Sequence, residues 1–217
     1  MTVSVVIPTY NSAQFIEQTL QSVQRQTLTD WEALIIDGGS TDETAAIVAR
    51  YAKADPRFSW HCRHGGVAVS RNAGVQMARY PYVAFLDSDD IWMPERLSAL
   101  VDPLNRDPQL AISYSRAEFV HFDGASMGTV STNRVQGVRP EHFLAINPTI
   151  TMSNIVVRRE VAAAIPMDET MSYSEDIEWI FRLMVTGGWA VAGLDQVLLR
   201  CGVNTSGLSE QLYQMEG

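Results

Sequence analysis

The chain has 217 residues, of which 46% are hydrophobic, and its formal net charge is -9 at pH 7. This length and composition suit one α/β domain with a substantial core. The acidic balance excludes nucleic acid as the main partner, because proteins bind a polyphosphate through clustered Lys and Arg. Two cysteines, Cys62 and Cys201, are too few for a disulfide framework and lack the spacing of a zinc site, which favours a reducing compartment.

The N-terminus begins MTVSVVIPTY and has neither a basic region nor a long apolar region, so it predicts a first strand rather than a signal peptide. No stretch approaches the roughly 18 to 20 apolar residues of a membrane-spanning helix. The expected location is therefore the cytoplasm, with peripheral contact to the inner face of the membrane left open.

The first ninety residues alternate apolar runs with amphipathic segments, which predicts strands and helices around a mostly parallel sheet. Asn11 is placed to cap the first helix, and Ser40 and Glu43 have the spacing of a capping box for the second. The predicted elements are strands at residues 3–7, 31–36, 58–62 and 82–86, and helices at 12–24, from 40 onward, and at 67–78.

The second half is less regular. It predicts a helix at residues 94–105, strands near 111–122 and 152–157, and a polar loop at 123–139. The clearest element is a helix over 174–186, which Gly187 and Gly188 end. Its predicted buried stripe consists of Ile177, Ile180, Phe181 and Met184.

Acidic residues follow the strand at residues 82–86, where Asp87, Asp89 and Asp90 place three carboxylates within four residues. Like charges repel at such a site unless a cation or solvent screens them. Mg²⁺ or Mn²⁺ would do so, since these ions prefer oxygen ligands. A solvated acidic turn is the alternative. Asp37 and Asp87 both lie at the carboxyl edge of the predicted sheet, where ligands of such folds bind.

Five segments, in this order, resemble family 2 glycosyltransferases. They are VVIPTYN at residues 5–11, IDGGSTD at 36–42, SRNAG at 70–74, FLDSDD at 85–90 and YSEDIEW at 173–179. The resemblance implies the GT-A fold, a Rossmann-like three-layer α/β/α architecture with a mostly parallel central sheet. It also implies one domain over 1–217, with a nucleotide-sugar-binding half at 1–93 and an acceptor-binding half at 94–217 that carries the catalytic helix.

The resemblance also assigns roles at the donor site. Asp37 is expected to accept a hydrogen bond from a uracil-like base, and its alternative role is a polar strand terminus. Arg71 is expected to approach the nucleotide or its diphosphate, and its alternative role is a surface salt bridge. Asp89 is the expected ligand of Mn²⁺ or Mg²⁺. The other expected nucleotide-sugar contacts are Pro8, Thr9, Tyr10, Asp87 and Ser88.

An inverting transfer also needs a base that takes the proton of the acceptor hydroxyl. The helix over 174–186 offers Glu175, Asp176 and Glu178. Asp176 lies one turn before a buried position and is the expected base, with Glu175 second, whereas Glu178 can pair with Arg182 on the surface. Alternatively, all three carboxylates only supply negative charge near the start of the helix.

Two positions depart from the family pattern. Gly38 stands where a second acid is common, and residues 199–204 lack a histidine that many relatives carry, a role that Asn204 or an added segment could fill. The sequence therefore predicts a metal-dependent, inverting glycosyltransferase that moves a sugar, expected to be UDP-linked, to a carbohydrate or lipid-linked acceptor in surface polysaccharide or glycolipid synthesis. The alternative is a non-catalytic sugar-nucleotide-binding or assembly protein of the same fold.

Two other enzyme classes are excluded by the first turn. A nucleotidyltransferase would need a Gly-rich, basic loop there, and residues 9–12 read TYNS. A dinucleotide-dependent oxidoreductase would need a G-x-G-x-x-G motif, which is absent from that position.

Overall fold

The computed structural model describes residues 3–121 and 124–203, and in these ranges a nine-stranded sheet carries helices on both faces. The strands are β1 Val3–Thr9, β2 Trp31–Asp37, β3 Phe58–Cys62, β4 Tyr82–Phe85, β5 Ile91–Trp92, β6 Leu110–Val120, β7 Ser126–Val130, β8 Val156–Arg158 and β9 Ala190–Gly202. The helices are α1 Ile16–Gln24, α2 Thr44–Ala54, α3 Val67–Met77, α4 Arg96–Arg106, α5 Arg159–Ala164 and α6 Glu175–Gly187. Two 3-10 turns span Pro140–Leu144 and Met152–Asn154.

The strands lie in the order β3-β2-β1-β4-β8-β6-β9-β5, and β7 pairs with β6. The first four strands in this order are parallel, β8 is antiparallel to both of its neighbours, and β6 and β9 are parallel. Among the described residues, six strands therefore run in one direction, while β5, β7 and β8 run in the other. This architecture confirms the predicted three-layer α/β/α fold with a mostly parallel sheet.

Strand β1 is buried on both faces and separates two cores. Val5 and Ile7 belong to the core beneath α1, α2 and α4, whereas Val6 belongs to the core beneath α3, α5 and α6. Helix α3 crosses β1 very closely at Gly74, where an added Cβ would lie 2.3 Å from Val6 Cγ1. A glycine is needed here because any side chain would overlap the strand.

Most predicted elements of the first half agree with the structure, but both helix caps are wrong. Helix α1 begins only at Ile16, and Asn11 accepts a hydrogen bond from the Thr41 amide instead (2.8 Å). The Ser40 hydroxyl donates to Asp37 Oδ1, and the Glu43 side chain makes no capping bond. These polar side chains connect the loops after β1 and β2 instead of closing their own helices.

In the second half of the chain, the observed elements differ more from the predicted ones. Residues 152–154 form a 3-10 turn before the short strand β8, where a longer strand was predicted, and the predicted polar loop contains β7. Phe122 and Asp123, at the border of that loop, lie outside the described residues. Strand β5, helix α5 and the 13-residue strand β9 were not predicted. Across the described ranges, no helix is both long enough and apolar enough to span a membrane.

The predicted buried face of α6 is also wrong in part. Ile180 and Met184 are buried as predicted, but Ile177 and Phe181 are only partly buried, and their places are taken by Trp179 and Leu183. The Trp179 ring packs edge-on against Phe85 of β4, with the ring centroids 5.9 Å apart. The buried face therefore lies closer to Glu175, one turn before Trp179, than the predicted stripe implied.

Candidate active site

Two cavities meet at the carboxyl edge of the sheet. The first, here called the strand-end cleft, has a volume of about 360 Å³ and lies between the loops after β1, β2 and β4 and the start of α3. The Tyr10 ring is 63% exposed at this cleft, and Gly38, Gly65 and Gly66 form part of its wall. Six residues with a predicted binding role line it: Pro8, Thr9, Tyr10, Asp87, Ser88 and Asp89.

The second cavity, here called the α6 cavity, has a volume of about 590 Å³ and extends from the acidic cluster to helix α6. Glu175 and Asp176 line its far wall, and Arg71 lies between them and the cluster. Asp87 and Asp89 line both cavities. A molecule in the strand-end cleft and another in the α6 cavity would therefore meet at these two carboxylates.

Asp37 is buried at the end of β2. It is 1% exposed and lines neither cavity, because its Oδ1 accepts hydrogen bonds from the Gly39 amide and from the amide and hydroxyl of Ser40. Its Oδ2 accepts a bond from the Trp60 indole (3.2 Å). The carboxylate thus braces the turn after β2, and the neighbouring Gly38 is the residue that reaches the strand-end cleft.

Arg71 is a buried bridge between the two halves of the chain, so its alternative role as a surface salt bridge is wrong. Its Nη1 donates to Glu175 Oε1 (2.7 Å) and its Nη2 to Asp87 Oδ1 (2.8 Å), and the residue is 4% exposed. Burial lowers the pKa of the guanidinium, but Asp87, Glu175 and Asp176 together raise it above its ordinary value. The structure commits both terminal nitrogens to protein carboxylates.

The carboxylates of the acidic cluster, Asp87, Asp89 and Asp90, repel one another. Burial, with the charge of Asp87 added, raises the pKa of Asp89 to about 6. Burial and the charges of Asp89 and Asp87 raise the pKa of Asp90 well above its ordinary range. Asp90 Oδ1 accepts a hydrogen bond from the Gly202 amide (2.9 Å). Asp90 therefore ties the cluster to β9 and lines the α6 cavity, whereas Asp87 and Asp89 line both cavities.

These residues fit a divalent cation that a second molecule helps to hold. Within residues 3–121 and 124–203, no three His, Cys, Asp or Glu side chains form an ion site by themselves. However, a cation beside Asp89 would offset both causes of its raised pKa, which are the burial of the carboxylate and its repulsion by Asp87. Mg²⁺ is commonly held by only one or two carboxylates together with the phosphates of a substrate. Asn204, considered above as a further contact, lies outside the described residues.

Helix α6 presents its three carboxylates to different surroundings. Glu178 pairs with Arg182 through bonds of 2.7 and 3.0 Å, as predicted. Glu175 is buried and bonded to Arg71. Asp176 is partly buried at the α6 cavity, and burial is the main cause that raises the pKa of its carboxyl. Of the three, Asp176 is therefore the carboxylate that combines access to the cavity with a raised proton affinity.

Residues 147–154 form a wall of the site, and their hydrogen bonds to the site carboxylates were not predicted from the sequence. The Thr151 hydroxyl donates to Asp87 Oδ2 (3.3 Å), the Asp87 amide donates to Ser153 Oγ (2.8 Å), and the Asn147 amide donates to Asp176 Oδ2 (3.1 Å). The available signal was the density of Asn, Thr and Ser in this segment, which is unusual for a buried strand.

Comparison with known proteins identifies the family of this chain. The glycosyl transferase family 2 model matches residues 4–163. TuaG of Bacillus subtilis strain 168, named as a teichuronic acid biosynthesis glycosyltransferase, is 27% identical over 214 residues, which cover 98% of this chain and 83% of TuaG. Two further B. subtilis glycosyltransferases are matched over only 26% and 41% of their lengths.

Solved structures share the fold. S. aureus TarS 1-349 in complex with UDP-GlcNAc has a TM-score of 0.76 at 22% identity, covering 97% of this chain and 61% of that chain. Mannosyltransferase PcManGT from Pyrobaculum calidifontis, in complex with GDP-Man and Mn²⁺, has a TM-score of 0.69 at 20% identity, covering 94% and 58%. Since the family model matches more than half of the sequence, and the fold agrees, the chain belongs to glycosyl transferase family 2.

Proposed function

We propose that this protein is an inverting glycosyltransferase that moves a sugar from a nucleoside diphosphate to a hydroxyl of a carbohydrate or lipid-linked acceptor. The observation that carries the proposal is the meeting of the two cavities at Asp87 and Asp89, with Asp176 on the opposite wall. The donor occupies the strand-end cleft and the acceptor the α6 cavity. The relatives in polysaccharide synthesis favour a role in surface polysaccharide or glycolipid formation on the cytoplasmic side, with peripheral membrane contact.

The donor is expected to be a UDP-linked sugar. Tyr10 offers an exposed ring against which a base can stack, and Pro8 and Thr9 line the cleft beside it. The Thr9 hydroxyl is buried and has no hydrogen-bond partner among the described residues. TarS, which shares the fold, was solved with UDP-GlcNAc, and this favours uridine as the base.

Asp89 is the proposed protein ligand of Mn²⁺ or Mg²⁺, which it would hold together with the donor diphosphate. The Mn²⁺ in PcManGT supports this assignment. When bound, such an ion stabilises the negative charge of a leaving diphosphate. Asp87 and Ser88, which lie beside Asp89 in the same cleft, are proposed to contact the ribose or the donor sugar.

Asp176 is the proposed general base, with Glu175 as the second candidate. The acceptor oxygen forms a bond to the anomeric carbon from the face opposite the diphosphate, the bond from that carbon to the diphosphate oxygen breaks, and the acceptor proton passes to Asp176. Attack from the opposite face inverts the configuration at the anomeric carbon. Glu175 is the weaker candidate because Arg71 already holds its carboxylate.

The test is release of nucleoside diphosphate from a panel of UDP- and GDP-linked sugars, with Mn²⁺ or EDTA and with simple glycoside acceptors. We expect transfer only with the metal, and a loss of at least about a hundredfold in kcat for Asp176→Asn, in line with the usual contribution of a general base. Glu178→Gln is the matched control, because Glu178 lies on the same helix but pairs with Arg182.

Full transfer by Asp176→Asn would overturn the proposed mechanism. A thermal shift with UDP and Mn²⁺ but no turnover with any donor and acceptor would instead favour the non-catalytic, sugar-nucleotide-binding alternative, since a ligand of the folded state raises its melting temperature.

A further inference from the structure

We infer that Asn147 is a positioning residue that holds the carboxylate of Asp176 in place for proton transfer. The inference rests on the proposed function, because it presumes that Asp176 is the base. Asn147 lies in the loop before the Met152–Asn154 turn, 29 residues from Asp176 in sequence, and it lines the α6 cavity beside Asp176. It belongs to none of the motifs that identify the donor site.

The hydrogen bonds of Asn147 determine which end of its amide faces Asp176. The side chain is 8% exposed, and its Oδ1 accepts bonds from the Thr149 amide (3.0 Å) and the Thr149 hydroxyl (2.7 Å). The opposite end, Nδ2, donates to Asp176 Oδ2 (3.1 Å). A flipped amide would place its oxygen against a carboxylate and its NH₂ group against a backbone N–H, so the observed orientation is strongly preferred.

The backbone around Asn147 is built to hold this contact. Ile150, which closes the turn by donating its amide to the Asn147 carbonyl (3.1 Å), has φ +71°. This left-handed conformation is strongly disfavoured for a β-branched residue and persists only where surrounding contacts enforce it. Ser174, directly before α6, has φ +58°. Both residues line the α6 cavity, so unusual backbone conformations occur on both sides of the Asn147–Asp176 contact.

The same turn also reaches the donor side of the site. Thr151, next to Ile150, donates its hydroxyl to Asp87 Oδ2 (3.3 Å). One short segment therefore contacts both the proposed base and a carboxylate of the strand-end cleft. Such an arrangement fixes the distance between the two walls, which matters because transfer requires the base and the donor to be aligned within fractions of an ångström.

Asn147 also affects the proton affinity of Asp176. Burial and the charge of Glu175 raise the pKa of Asp176, whereas the charge of Arg71 and hydrogen bonds from backbone amides lower it. A donor from Asn147 stabilises the ionised carboxylate and so also lowers the pKa. Removing this donor should raise the pKa of Asp176, and the acidic limb of the pH-rate profile should then move to higher pH.

The experiment compares Asn147→Ala with the wild type, using the nucleotide sugar that gives the fastest release of nucleoside diphosphate with Mn²⁺. We expect kcat to fall about tenfold, as for loss of one hydrogen bond to a charged group, while KM for the donor changes less than about twofold. The acidic limb of kcat against pH should move upward by about half to one unit. Asn105→Ala is the matched control, since Asn105 bonds to Val101 and Tyr82 outside the cavities.

A second variant covers the case in which Asn147→Ala folds poorly. Thr149→Val removes the hydroxyl that orients the Asn147 amide but leaves the amide in place, so a smaller loss of kcat with the same direction of the pH shift is expected. A merely structural role would lower the melting temperature of either variant without moving the acidic limb.

The two proposals fail in different ways. If Asp176→Asn abolishes transfer but Asn147→Ala and Thr149→Val keep the wild-type kcat and acidic limb, the inference on Asn147 is wrong and the proposed function stands. If Asp176→Asn transfers at the wild-type rate, the proposed function is wrong, and the inference on Asn147 falls with it.

Discussion

Arg71 holds together the two walls of the site, and Arg71→Met would remove its charge while keeping much of its volume. Among the described residues that line the α6 cavity, Arg71 is the one cation, and it faces five carboxylates. Its two ion pairs, to Asp87 and Glu175, connect α3 and the end of β4 with the start of α6. The substitution therefore leaves two carboxylates without their partner.

The size of the effect follows from the burial of the three side chains. The exposed fraction of the side chain alone is 5% for Arg71, 11% for Glu175 and 26% for Asp87. Breaking a buried ion pair by removing one partner costs about 3–5 kcal/mol. Because Asp87 keeps some contact with solvent, we expect Arg71→Met to lower the free energy of unfolding by about 3 kcal/mol, the lower end of this range. With a denaturant slope of about 2 kcal/mol per molar, the urea midpoint should fall by about 1.5 M.

The loss of unfolding free energy in Arg71→Met should be smaller at low pH. Asp89 and Asp90 have pKa values raised by burial and by neighbouring carboxylates, so the folded state binds their protons more tightly than the unfolded state. For acids of this kind, stability grows as the pH falls, and the repulsion that Arg71 offsets weakens as they are protonated. The deficit of Arg71→Met should therefore narrow between pH 7 and pH 5.

The assay is urea unfolding followed by tryptophan fluorescence at both pH values, since the chain contains five tryptophans. Arg182→Met is the matched control, because Arg182 forms a partly exposed pair with Glu178 on the outer side of α6 and should cost less than about 1 kcal/mol. The reasoning is refuted if Arg71→Met costs no more than Arg182→Met, or if its deficit is the same at pH 7 and pH 5.

Two further substitutions, Asp89→Asn and Gly39→Ala, test the acidic cluster and the turn after β2, and Gly38→Ala is the control for the second. Asp89→Asn should stabilise the protein in EDTA at pH 7.5 by about 1 kcal/mol, which corresponds to a melting temperature higher by about 2–4 °C, because it removes a buried charge that Asp87 repels. The gain should shrink as the pH falls through the raised pKa of about 6 and vanish near the ordinary value of 3.8, where the unfolded carboxyl is protonated too. Mn²⁺ with UDP should raise the melting temperature of the wild type but not of this variant; an equal rise in both would contradict the metal assignment. Gly39→Ala should destabilise by about 1–3 kcal/mol, because Gly39 has φ +101° and its added Cβ would lie 2.5 Å from His64 Cε1. Gly38→Ala, whose Cβ would lie 3.5 Å from Tyr10, should stay within about 0.5 kcal/mol in the same urea titration, and equal losses would count against this explanation.

Much of the donor side of the site could be predicted because it depends on short sequence patterns, each within one strand and the loop that follows it. The apolar runs of β1, β2 and β4 are buried on both faces, and the polar residues that follow them meet at one edge of a parallel sheet whatever the rest of the chain does. Asp87 and Asp89 therefore reach the cleft as predicted from their places after β4.

Strand β9 is an element that local sequence patterns did not predict. Its burial alternates at first, is interrupted by exposed Asp195 and Gln196, and then becomes nearly continuous where the strand lies between β6 and β5. Strand β9 pairs with a strand about eighty residues earlier in the chain, so its extent depends on a partner that no local window contains.

The partners of the charged side chains were likewise decided only by the tertiary structure. The sequence identified Asp37, Arg71 and Asp176 as functional candidates from their motifs, but not what each one contacts. Asp37 is enclosed by the turn after it and by Trp60, Arg71 meets Glu175 across 104 residues, and Asp176 meets Asn147 from an irregular loop. Residue type and local periodicity determine which groups reach the sheet edge, whereas hydrogen-bond partners and burial depend on how distant segments pack there.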